Sequence, residues 1–159
     1  MQGKLMTMNK DIRVFEVVEA KESYVDAVNR LLVQLSSSPV HFTMESLAGI
    51  VASPSSHLFF AECNGEVVGM LTLGEYLAPT GRKMWVEDVV VDVAMRGRSI
   101  GRVLVEHAME FSASFNGGVL MLTSRPSRIA ANNLYRSCGF QIKETNMYKK
   151  TLKGLTISD

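Results

Sequence analysis

One stretch constrains this chain more than any other. From Val86 to Leu104 the sequence reads VEDVVVDVAMRGRSIGRVL. A run rich in β-branched residues ends in Arg96-Gly97-Arg98-Ser99-Ile100-Gly101, and at Ile100 the apolar period changes. Ile100, Val103, Leu104, Ala108, Phe111 and Phe115 recur at spacings of 3 and 4, the mark of a long amphipathic helix. A strand that feeds such a helix through a glycine turn has the physics of an anion site. The first helical N–H groups lack partners inside the helix, and the helix dipole adds positive potential. Glycines admit close approach, and arginines supply forked donors. The spacing is neither the three-glycine dinucleotide fingerprint nor the Gly-Lys-Ser/Thr of a Walker loop. Taken alone, the turn also reads as an ordinary strand-to-helix connection.

The remaining elements arrange themselves around that junction. Ile12 to Val18 alternates as a strand, and Ser23 with Asp26 is close to a capping box for a helix carrying Val25, Val28, Leu32 and Leu35. Thr43 is placed to cap a short helix with Leu47, Ile50 and Val51, closed by Pro54. Three strand-like runs follow: His57 to Cys63, Val67 to Tyr76, and Lys83 to Val93. Asn64-Gly65 is a hairpin signal between the first two. After the long helix, Asn116-Gly117-Gly118 stops the chain and Val119 to Thr123 is a short strand. A helix over Ser127 to Cys138 ends at Gly139, and Phe140 to Glu144 with Met147 to Leu152 are expected to form a final pair of strands. The order predicts a single α/β domain over 11–153, a mixed sheet covered by helices, with a loose leader at 1–10 and a tail at 154–159.

Composition narrows the function classes. A chain of 159 residues, 47% hydrophobic and 21% charged, is ordinary globular protein and buries enough surface to need neither metal nor disulfide. Cys63 and Cys138 are too few and too far apart for a four-ligand metal site, so no metal is expected. They read as small buried thiols. No apolar run approaches the roughly 18–20 residues of a membrane span, and Met1 to Lys10 does not resemble a secretory signal. The expectation is a cytoplasmic protein with no membrane partner. Charge is uneven: residues 1–81 carry 5 Lys+Arg against 9 Asp+Glu, and residues 82–159 carry 12 against 7. A polyanionic ligand on the second half fits this asymmetry, as does a solvated basic face. Nucleic acid is not expected, because no aromatic residues interleave the basic ones.

A second motif supports the first. Thr123 to Phe140 reads TSRPSRIAANNLYRSCGF, with Ala131, Leu134-Tyr135 and Gly139-Phe140 set along a helix and its cap. Together the two stretches resemble the GNAT superfamily of acetyl-CoA-dependent N-acetyltransferases. Its hallmark is a strand followed by Arg/Gln-x-x-Gly-x-Gly/Ala and a later Ala-x-x-Leu/Phe-Tyr-x-x-x-Gly-Phe. The resemblance covers Val86 to Phe140 by motif and nearly the whole chain by element order. It implies a mostly antiparallel, splayed sheet flanked by helices, the acyl-CoA N-acyltransferase fold. It also implies that the pyrophosphate of acetyl-CoA sits on backbone N–H groups from Arg98 through Ser99 and Ile100 to Gly101. Arg96 and Gly97 would then shape the turn, with Arg102 following it. The pantetheine arm would run beside Val89, Val90 and Val91, and Asn132 would be a further coenzyme A contact. The sequence departs from the pattern at Ser99, where the family favours glycine. A residue entering a helix is expected at negative φ, which serine tolerates.

Transfer of an acetyl group to an amine needs a route for the amine proton, donors for the developing oxyanion, and an acid for the departing thiolate. No Ser–His–Asp or Cys–His pairing is evident, so direct transfer is expected rather than an acyl-enzyme. By resemblance, Tyr135 is the acid and the Val89 N–H an oxyanion donor. Glu87 and Asp88 are the base candidates. Alternation sends them to opposite faces of a regular strand, and Glu87 shares parity with Val89 and Val91; a bulge would blur that distinction. His41, His57 and His107 read as packing or loop residues. The function implied is N-acetyl transfer to a primary amine of a small molecule or peptide, with a non-catalytic acyl-CoA-binding sensor as the alternative from another class. Amino sugars, aminoglycosides, polyamines, amino acids and protein amino termini all stay open as acceptors, and family members often dimerise through their last strands.

Overall fold

The computed structural model describes residues 11–153; the expected leader and tail lie outside the described residues. The chain forms β1 (Ile12–Glu16), α1 (Glu22–Leu35), α2 (Met44–Ala52), β2 (Ser56–Cys63), β3 (Glu66–Ala78) and β4 (Gly81–Val91). A one-turn 3-10 helix (Val93–Met95), α3 (Ile100–Ala113), β5 (Val119–Leu122) and α4 (Ile129–Ser137) complete it. The strands lie in sequence order in one sheet, antiparallel throughout except that β5 pairs parallel with β4. Asn64 and Gly65 both sit at positive φ in the β2–β3 turn, as an Asn-Gly hairpin requires.

Each face of the sheet buries its own apolar set. On one side Phe59, Leu71, Leu73, Met84 and Val86 pack with Ile100, Leu104, Val105 and Ala108 of α3. On the other, Leu58, Phe60, Met70 and Val90 pack with Val25, Val28 and Leu31 of α1 and Leu47 of α2. Thr43 caps α2 as expected, its Oγ1 accepting from Ser46 N at 3.1 Å. The capping expectation for α1 fails: the helix begins at Glu22, one residue before Ser23, and its N-cap Lys21 makes no side-chain cap bond. Tyr24 and Val25 N–H both donate to the Lys21 carbonyl, which tightens the first turn in place of a side-chain cap.

Two further expectations are corrected. The β3–β4 pairing puts Met70 opposite Val90 but Thr72 opposite Glu87, so β4 carries one extra residue, a bulge in which Asp88 takes φ 51°. The bulge reverses the alternation. Met84 and Val86 face α3 before it, Val89 and Val91 face α3 after it, and Val90 faces α1. Glu87 therefore lies on the α1 face of the sheet, and sequence parity with Val89 and Val91 does not describe it. The final pair of strands is also absent from the described residues. Residues 140–153 have no regular structure, and Ile142, Met147, Tyr148 and Leu152 are exposed. The short extended-looking runs Phe140 to Glu144 and Met147 to Leu152 carry no pattern that distinguishes a strand from a solvated segment.

Candidate active site

The sheet opens where β4 loses β5 while β3 still pairs with it. The parallel ladder runs only from Lys83↔Val119 to Val86↔Leu122, after which β5 ends and the chain turns away toward α4. Backbone groups of β4 from Glu87 to Val91 thus have no β5 strand beside them. A cleft of about 780 Å³ occupies the wedge, lined by Val89, Val90 and Val91 on one wall and by Arg128, Ala131, Leu134 and Tyr135 on the other.

Arg96, Gly97, Ser99, Ile100, Gly101 and Arg102 close one end of this cleft. The first α3 hydrogen bond is Val103 N to the Ser99 carbonyl, at 3.0 Å. The N–H groups of Ile100, Gly101 and Arg102 consequently have no helical acceptor and face the turn. Gly97 sits at φ 78°, and the first turn of α3 holds no acidic residue. Gly101 is where α3 and α4 come close: a Cβ there would stand 3.3 Å from Leu134 Cδ2.

Ser99 departs from the expectation of negative φ. It takes φ 61°, ψ 16°, in the left-handed region, and caps α3 without a side-chain hydrogen bond. The turn has to reverse direction between β4 and α3, and it does so through the left-handed conformation that glycine adopts freely and serine does not.

The turn is braced by residues that the motif does not contain. Asp92 Oδ1 accepts from Ala94 N at 3.0 Å, and its Oδ2 accepts from Arg30 Nη1 on α1 at 2.9 Å. Arg30 also donates to the Val67 carbonyl, and Gln34 Oε1 accepts from Val93 N at 2.8 Å. Arg96 Nε reaches the Val91 carbonyl at 3.3 Å. Sequence reasoning missed Arg30, Gln34 and Asp92. An Asp opening a short turn was the only signal, and nothing local links it to α1.

Tyr135 projects from α4 into the wall of the cleft and is 6% exposed, packed edge-on against Phe140. Burial raises its phenol above the ordinary value, with the Arg128 guanidinium pulling the other way. Glu87 and Asp88 stand beyond the Val89 end of the cleft and are not part of its lining. Although Glu87 stays open to solvent, partial desolvation raises its carboxyl, and the Asp88 carboxylate adds to the shift.

Of the other expected contacts, Arg98 lies outside the cleft lining and is exposed. Asn132 also lies outside, and its Nδ2 is engaged with the Arg125 carbonyl at 2.9 Å. Arg102 lines the cleft while tying α3 to α4, donating to Ser137 Oγ at 2.6 Å. His57 pairs with Glu16 at 2.7 Å and stacks on Phe111, and His107 packs edge-on against Phe59, both away from the cleft. Among the described residues, no three His, Cys, Asp or Glu side chains gather as a metal site, and no helix is long and apolar enough to cross a membrane.

Comparison with known proteins agrees with this geometry. The model of the acetyltransferase (GNAT) family matches residues 25–140. The chain is 36% identical over 91 residues to the N-alpha-acetyltransferase RimI of Mycobacterium tuberculosis, covering 57% of this chain and 56% of that protein. It is 26% identical over 131 residues to N-acetylaspartate synthetase of Danio rerio, covering 81% and 45%. The chain thus spans about half the length of these curated relatives. Glucosamine-6-phosphate N-acetyltransferase of Arabidopsis thaliana shares the fold, with a TM-score of 0.74 at 20% identity, over 89% of this chain and 99% of that one. With a family match over most of its length, a splayed sheet and an anion-ready helix end at the splay, this chain belongs to the GNAT acetyltransferase family.

Proposed function

We propose that this chain transfers an acetyl group from acetyl-CoA directly to a primary amine. The observation that carries the reading is one continuous cleft, running from the three unpaired N–H groups of α3 along the open edge of β4 to Tyr135. Ile100, Gly101 and Arg102 would hold the pyrophosphate through backbone N–H groups, where the helix dipole favours negative charge. The backbone of Val89 to Val91, unpaired on the β5 side, would hydrogen-bond the pantetheine amides in place of a strand. Arg96 and Gly97 shape the turn in this reading. Arg98 and Asn132 would contact coenzyme A only at the rim, consistent with their positions outside the lining.

The chemistry needs no covalent enzyme intermediate. The amine nitrogen attacks the thioester carbonyl, whose oxygen would accept a hydrogen bond from Val89 N–H as charge develops. Glu87, with Asp88 beside it, would take the amine proton, directly or through one water. The C–N bond forms, the C–S bond breaks, and the thiolate would receive the Tyr135 proton. A phenol kept protonated by burial suits that donor role. The same groups would be superfluous in a non-catalytic sensor, which needs only the phosphate and pantetheine contacts.

The carboxyl-terminal segment bears Ile142, Met147, Tyr148 and Leu152 in exposed positions, which supports a homodimer formed through that segment. Light scattering on the purified chain tests it. Thiol release from acetyl-CoA across amino sugars, aminoglycosides, polyamines, amino acids and short peptides tests the main reading. Release that depends on one class of amine supports it. Binding of acetyl-CoA without release for any amine would favour the sensor.

A further inference from the structure

Trp85 occupies a position that packing does not explain. It is the chain's only tryptophan, sits in the middle of β4, and is partly buried, yet it belongs to neither hydrophobic cluster. Among the described residues its indole N–H has no hydrogen-bond partner and its ring no aromatic neighbour within stacking range. Because Met84 and Val86 face α3, Trp85 lies on the opposite face, the one that carries Glu87 two positions along. Directly across on β3 stands Gly74, and no atom lies within 4 Å of where a Cβ would be there, so nothing covers the strand beside the indole. On β5 its register partner is Met121, also outside both clusters. The α1 and α2 cover ends earlier, at Leu58, Met70 and Val90.

We infer that Trp85 is the platform for the acceptor: its indole receives the apolar body of the amine while Glu87 and Asp88 face the ammonium group. The proposal rests on the acetyltransferase reading and extends it to a substrate class. Trp85 and Glu87 are two residue steps apart, about 7 Å along β4. A primary amine carried about that far from a flat apolar group fits the span. Two adjacent carboxylates repel an acid next to the amine, so a free α-amino acid is a poorer acceptor than the corresponding amine. An apolar body on a tryptophan face gains contact area, and a partial positive charge next to it gains further from the ring.

The test uses phenethylamine, ethylamine, which lacks the ring, and phenylalanine, which adds the carboxylate. Thiol release from acetyl-CoA gives KM and kcat for each, and fluorescence of Trp85 is titrated with the same amines in the presence of coenzyme A. Phenethylamine is expected to show at least a tenfold higher kcat/KM than either analogue and a saturable change in Trp85 emission. Trp85→Ala should raise the phenethylamine KM roughly tenfold. It should leave the ethylamine KM and the acetyl-CoA dissociation constant within about twofold. Trp85→Phe should recover most of the loss, and if Trp85→Ala does not fold, Trp85→Leu, which keeps bulk but not the aromatic face, takes its place with a rise of several-fold expected. Thiol release from wild type with an unchanged phenethylamine KM in Trp85→Ala or Trp85→Leu, or emission that ignores the amines, overturns the platform and leaves the transferase standing. No thiol release with any amine overturns the transferase and the platform with it.

Discussion

The Arg30 guanidinium donates to the Asp92 carboxylate at 2.9 Å, joining α1 to the turn that presents the α3 amides. Asp92 spends its other oxygen on Ala94 N, and its side chain is only 15% exposed. Removing the carboxylate therefore takes away a cap and leaves a cation without its partner. Asp92→Ala is expected to lose about 1–2 kcal/mol of stability. It should also weaken acetyl-CoA binding several-fold, because the turn loses its anchor. Arg30→Ala should cost less stability, since Arg30 is 45% exposed and water replaces part of its role. Denaturant titration and calorimetry on both variants check this. Equal acetyl-CoA affinity in all three proteins would show that the turn holds its shape without α1.

Ser99 at φ 61° carries strain that glycine at the same place would not. The left-handed conformation costs a residue with a Cβ about 1–2 kcal/mol. Glycine gives back part of that through the flexibility of its unfolded chain. Ser99→Gly is expected to gain about 0.5–1 kcal/mol, visible as a higher Tm, and to bind acetyl-CoA at least as tightly. Ser99→Val, with a branched Cβ at that φ, should lose stability and affinity together. A drop in Tm for the glycine variant would mean the serine hydroxyl contributes something other than strain.

Much of this architecture was legible in residue patterns. The change of period at Ile100 located the start of α3, Asn64-Gly65 located the hairpin, and the Leu-Tyr-x-x-x-Gly-Phe segment put Tyr135 on the helix that walls the cleft. What could not be read depended on pairing between distant strands. The bulge at Asp88 is a property of β3 against β4, so counting residues along β4 put Glu87 with Val89 and Val91 when the sheet puts it on the other face. The Arg30–Asp92 link joins residues 62 apart and has no local signature. Ser99 was misjudged for a different reason: the residue type favours negative φ, and the direction change from β4 into α3 overrides that preference.

Tyr135 belongs to the core and also lines the cleft, so packing and proton donation separate by substitution. Tyr135→Phe keeps the packing against Phe140. It is expected to lower kcat by about 10²–10⁴-fold, the range for losing a general acid, with acetyl-CoA affinity nearly unchanged. Tyr135→Ala should instead lose stability by about 3–5 kcal/mol, the cost of deleting a buried aromatic. Steady-state kinetics on the phenylalanine variant decide the role. Unchanged kcat would leave Tyr135 as a core residue and require another donor for the thiolate.

Glu87 sets the direction of a pH dependence. Partial desolvation raises its carboxyl above the ordinary value, with Asp88 adding to the shift. A base works only when ionised, so kcat/KM should rise with pH through a limb displaced upward from an ordinary glutamate's. A second rise, from deprotonation of the amine itself, lies at higher pH and moves with the amine chosen. Asp88→Asn removes the neighbouring negative charge, which makes Glu87 easier to ionise, and should shift the first limb to lower pH. Glu87→Gln should abolish that limb and lower kcat/KM by about 10²-fold or more. Rate profiles of the three proteins with one amine separate the assignments. A limb that stays in place in Asp88→Asn and survives in Glu87→Gln would assign the proton to a group outside this pair.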